Sequence, residues 1–98
     1  MNDTSDTATT LADVRRRIDL IDAKIIELIA SRQQWVLAAG NLKKDETAVR
    51  APGRVNEVIA TVRARAAQAG ASPEVVEQTY RALIAAFIEL ELAHHRAR

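Results

Sequence analysis

Cysteine is absent from this 98-residue chain, so neither a disulfide framework nor thiolate chemistry is available to it. Two prolines and three glycines leave long stretches without a helix breaker, and three aromatic residues leave the core to aliphatic side chains. Excess charge is missing too. Fourteen Lys and Arg stand against 13 Asp and Glu, a net charge of +1, which argues against an electrostatic nucleic-acid binder. The dense basic run Arg15-Arg16-Arg17 is interleaved with Asp13, Asp19 and Asp22, as on a solvated helix face. No run is long and apolar enough to cross a membrane. Residues 1–10 are polar and acidic, unlike a signal peptide, and read as a disordered tail ahead of one helical domain at 11–98, with the cytoplasm as the default location. There is no glycine-rich phosphate loop, serine-histidine-acid set or dinucleotide fingerprint.

What is present is a helical pattern, with 48% of residues hydrophobic. From Leu11 the apolar positions step by threes and fours through Val14, Ile18, Ile21, Ile25 and Leu28, then Trp35, Ala39 and Leu42. The step between Leu28 and Trp35 lands on Arg32. Unpaired burial of a permanent cation is costly, so Arg32 either meets a carboxylate of the protein or awaits an anionic ligand. Lys43 follows eleven residues later, a rotation that returns to within about 20° of the same face and roughly 16 Å along the axis.

Thr10 with Asp13 opens this helix, which runs to about Lys43 or Lys44 and is about 50 Å long. A compact monomer of this length is roughly 34 Å across, so the helix would protrude with its apolar stripe uncovered. The expected fold is therefore all-α: three helices with a long first helix, in an intertwined homodimer. Residues 44–51 read as a short polar connection. Pro52 suits the first turn of a second helix carrying Val55, Val58, Ile59 and Val62, with Gly70 as its stop. Ser72-Pro73-Glu74 opens a third, whose stripe is Val76, Tyr80, Leu83, Phe87 and Leu90, widened by Ile84 and Ile88.

Glu91 lies three residues after Ile88, on the flank of that apolar face. It is either a rim acid paired with an arginine or a member of a site. His94 and His95 have no partner at metal-ligand spacing and read as frayed surface residues, with no metal expected.

The Arg15-x(2)-Ile18-x(3)-Asp22 run, the Arg32-to-Lys43 spacing and Ala51-Pro52-Gly53-Arg54-Val55 resemble the all-helical chorismate mutase family over residues 11–96. The resemblance implies that Arg32, Lys43 and Arg54 of one chain and the partner subunit's Arg15 surround a small dicarboxylate cyclohexadiene, with Val36, Val55, Phe87 and Ile88 as further contacts. Arg15 is about 25 Å of helix from Arg32, too far for both to hold one ligand about 10 Å long unless Arg15 is supplied across the dimer. The implied chemistry is pericyclic and calls for no nucleophile, metal or cofactor. Lys43 and Glu91 are, by resemblance, the partners of the ether oxygen. Many bacterial members carry glutamine where this chain has Glu91, as some fungal and mycobacterial members do. A glutamate there must be protonated to donate a hydrogen bond, which burial among Ile84, Ile88 and aliphatic neighbours would favour.

Members acting on chorismate often place acids where this chain has Ala51 and Val55, and a serine or threonine where it has Phe87. Those three positions, with Glu46, look more like the isochorismate-pyruvate lyases, which share the fold and eliminate pyruvate to leave salicylate. Glu91 leans towards mutases, so the mutase reading comes first, with an aminated chorismate as a further substrate of that class and the lyase as the alternative. A reading from another class is a non-catalytic helical dimerisation module. It requires Arg32 and Lys43 to be paired inside the protein, and few acids lie on the apolar faces to pair them.

Overall fold

A computed structural model describes residues 10–97, so the expected disordered tail falls almost wholly outside the described residues. Four helices follow in order: α1 (Leu11–Asn41), α2 (Glu46–Arg50), α3 (Pro52–Ala69) and α4 (Pro73–Ala97). The all-α expectation holds, with three long helices and one short one. None is long and apolar enough to cross a membrane. The chain divides into two compact units, Met1–Gln34 and Trp35–Arg98.

The described part of the first unit is helical from Leu11 onward. The Thr10 Oγ1 accepts the Asp13 N–H at 3.1 Å, satisfying one of the amides that a helix start leaves without a partner. Leu11, Val14, Ile18, Ile21, Ile25 and Leu28 are each between 42% and 69% exposed. Six large aliphatic side chains open to water on one helix form an apolar face of the kind that marks interaction sites.

In the second unit, the last turn of α1 tightens as Leu42 and Lys43 donate to the carbonyls of Ala39 and Gly40, and the helix stops at Asn41, two residues short of the expected end. The connection expected at 44–51 instead contains α2. Asp45 caps it, Oδ1 accepting the Ala48 N–H at 2.9 Å, and Val49 is buried where α2 packs against α4. Polarity hid this helix, because a single buried valine anchors five residues. Ala51 closes α2 and opens α3 with a left-handed backbone, φ 36°. Such a conformation is strained for a residue with a Cβ.

The end of α3 follows its sequence signals. Gly70 adopts φ 79° and the Ala71 N–H reaches the Ala66 carbonyl at 2.8 Å, a glycine stop that frees the chain to reverse. Ser72 Oγ then accepts the Val75 N–H ahead of Pro73 in the first turn of α4. The α3–α4 hairpin encloses Ile59, Ala66, Ile84, Phe87 and Leu92. Leu90 was expected in that core and is 38% exposed. At 100° per residue it lies about 90° from the centre of the face formed by Ile84, Phe87 and Glu91, at the edge of what that face can cover.

Ion pairs fasten the hairpin and α2 from outside. Arg63 of α3 donates to Glu74 and Glu77 of α4, and Arg81 also donates to Glu77 at 2.7 Å. Arg96 grips both carboxylate oxygens of Glu46, at 2.7 and 2.8 Å. The hydrogen bonds from Arg81 and Arg63 hold the Glu77 carboxyl below its ordinary range, and that from Arg96 does the same for Glu46. A carboxyl lowered in the folded state contributes stability above its unfolded value and loses it as pH falls through the folded one. Glu77→Gln should therefore lower the melting temperature near neutrality, and the gap from the parent chain should close well below the ordinary glutamate range. A gap unchanged with pH in thermal melts would contradict this account of the network.

Candidate active site

The buried face of α4 contains one ionisable side chain. Glu91 is 3% exposed, between Phe87 and Ile88 on one side and Leu92 on the other. A carboxylate in such surroundings needs a charged or hydrogen-bonding partner. Lys43, which follows the last turn of α1, donates from Nζ to Glu91 Oε2 at 2.8 Å. The expectation that few acids could pair Lys43 is thus corrected: Glu91 is its acid. Glu91 as an exposed rim residue is excluded by the same geometry.

The pair is lopsided. The Lys43 side chain is 27% exposed, against 4% for Glu91, so the carboxylate is enclosed while the lysine side chain keeps contact with solvent. An ammonium has three donors and Glu91 takes one, which leaves Lys43 able to meet an anionic or ether oxygen arriving from outside.

Neighbouring contacts hold this corner in place. His94 Nε2 lies 3.2 Å from Asn41 Oδ1, linking α4 to the end of α1, and the Arg96–Glu46 grip links α4 to α2. The two histidines are therefore not frayed: α4 continues to Ala97, both are half-buried, and His95 Nε2 is enclosed without a hydrogen-bond partner. Gly40, which sequence reasoning passed over, is buried beside Glu91. Its only signal was a glycine inside an otherwise helix-favouring run.

The remaining expected residues are less concentrated. Arg54, in the first turn of α3, is exposed and donates to Glu57 at 3.3 Å. Val55, Ile88 and Val36 are half-buried and Phe87 is buried. Arg15 is exposed and Arg32 half-buried on the part of α1 that belongs to the first unit. Within the second unit, the structure brings Lys43 and Glu91 together. Among the described residues no His, Asp and Glu side chains gather where they could hold a metal ion.

A family model described as chorismate mutase type II matches residues 14–92, a span that includes Arg15 and Glu91. The chain is also 31% identical over 93 residues to a curated protein named isochorismate pyruvate lyase from Pseudomonas aeruginosa, an alignment covering 95% of this chain and 92% of that one.

The pair makes Lys43 a structural partner as well as a candidate ligand group, which changes the expected effect of removing it. Lys43→Met strands the Glu91 carboxylate and should cost roughly 1–3 kcal/mol in chemical denaturation. Adding Glu91→Met removes the stranded charge and should restore most of the loss. A negligible cost for the single variant would show that the carboxylate finds relief elsewhere.

Proposed function

Because the chain belongs to the chorismate mutase type II family, we propose that it binds a chorismate-type dicarboxylate and catalyses its pericyclic rearrangement, chorismate to prephenate. The observation that carries a reaction at the ether bond is the buried Glu91 carboxyl held on the part-exposed Lys43 side chain, and the rearrangement comes first because a glutamate at this position leans towards mutases. The reaction breaks an ether C–O bond and forms a C–C bond within one molecule, so the protein's task is to hold shape and stabilise charge. Binding the bent conformer removes the entropic cost of reaching a compact transition state. Lys43, beside the breaking bond, stabilises the charge that builds on the ether oxygen. In the free protein Glu91 is the carboxylate partner of Lys43; with substrate bound it serves as an acid, since its anion would oppose the charge on the ether oxygen and a proton taken up there can be donated to it.

Arg32 and Arg54 supply cations for the substrate carboxylates, and the partner subunit's Arg15 completes the set in a homodimer. The open aliphatic row of the first unit supports that assembly.

A second reading, elimination of pyruvate from isochorismate to leave salicylate, is favoured by the name of the curated relative and by Ala51, Val55 and Phe87, which stand where chorismate-using members often carry polar groups.

Incubation with chorismate and isochorismate separately decides between them. The first reading expects prephenate from chorismate. Salicylate and pyruvate from isochorismate, with chorismate untouched, would replace it by the second, and no turnover of either would favour a non-catalytic module. On the active substrate, Arg15→Ala and Arg32→Ala should each be inactive, and mixing them with subunit exchange should restore activity. Verified exchange without recovery would place Arg15 outside the shared site.

A further inference from the structure

Gly40 is the next-to-last residue of α1, and its backbone is ordinary helix: among the described glycines only Gly70 has a left-handed φ. Conformational freedom therefore does not explain a glycine here. Alanine would favour the helix more, because glycine has more backbone freedom to lose. Space explains it instead. A Cβ placed on Gly40 would lie 2.9 Å from Glu91 Cγ, 3.0 Å from Oε2 and 3.2 Å from Cδ. Carbon atoms in van der Waals contact stand about 3.5–4.0 Å apart, so Cγ, Cδ and Oε2 of Glu91 crowd the volume that the Cβ of any other residue would fill. Gly53 makes the contrast: it too is helical, and a Cβ there would meet nothing within 4 Å.

We propose that Gly40 is a positioning residue: the missing side chain forms a slot in the last turn of α1 that seats the Glu91 carboxyl on Lys43. Glu91 is inserted between helices, with the backbone of one as its floor. Oε2, the oxygen that accepts from Lys43, is among the atoms nearest the slot, so filling it displaces the end of the side chain that makes the ion pair. Lys43 is three residues beyond Gly40 and donates its backbone N–H to the Gly40 carbonyl at 3.2 Å, so the slot and the ammonium are set by the same turn.

Thermal melts of Gly40→Ala, alone and with Glu91→Ala, test the slot without reference to activity. In the parent chain the added methyl collides with Glu91 and should lower the melting temperature. With Glu91→Ala the colliding atoms are gone, and the same methyl should raise it through helix propensity. Gly53→Ala, as a control, should give the same sign in both backgrounds. A Gly40→Ala effect of one sign in both backgrounds would overturn the proposal.

The consequence for turnover rests on the reading of Lys43 and Glu91 as site residues. There Gly40→Ala should lower kcat by ~100-fold, the order expected when a reacting group is displaced by about 1 Å, with KM little changed because the carboxylate-binding cations are untouched. A reversal of sign in the melts together with unchanged kcat would leave the slot standing and remove Glu91 from the chemistry.

Discussion

Burial of one carboxylate organises the second unit of this protein. A Glu side chain that is almost wholly enclosed has to be paired, and the cation that pairs it comes from outside its own helix. Lys43 meets that demand at 2.8 Å, and the need to bring it there bears on the rest of the corner. Helix α1 ends at Asn41, so Lys43 can turn towards α4. Gly40 gives up its side chain to make room. His94 meets Asn41, and Arg96 holds Glu46 on α2, the short helix that returns the chain towards α3. Each contact alone is modest, and together they fix the register of residues 40–43 against α4.

Buried ion pairs are weak sources of stability, because desolvation offsets most of their attraction. An aliphatic pair at these positions would fold nearly as well. Retaining a charged pair is explained when the pair has a second use, and the lopsided exposure points to one. Lys43 can turn part of its donor capacity outwards while Glu91 stays dry, which is the arrangement that a reaction with charge building on an oxygen requires. The same pair can serve either a rearrangement or an elimination at the ether bond, which is why Ala51, Val55 and Phe87, not Lys43 and Glu91, carry the case for the second reading.

Much of this was readable in the residues, for reasons that can be named. Local signals such as Thr10 with Asp13, Gly70, and Ser72-Pro73 placed the helix ends, because caps act within a few residues of themselves. Periodicity exposed Arg32, Lys43 and Glu91 as charges at odds with their faces. It could not pair Lys43 with Glu91, which are 48 positions apart, nor show that Gly40 is empty for the sake of Glu91, since both facts arise from packing between helices. Helix α2 was missed because one buried valine and a cap leave too short a pattern, and Leu90 was misplaced because a stripe stepped in threes and fours drifts to the edge of the buried face.

The central claim is that the carboxyl of Glu91 acts on the reacting oxygen as a proton-bearing group. Comparing the pH–rate profiles of the parent enzyme and Glu91→Gln on the active substrate tests it most directly. Activity of the parent should fall as pH rises, and the glutamine variant, whose amide donates at every pH, should show a flattened profile. Superimposable profiles would contradict the claim and leave Glu91 as a structural partner of Lys43.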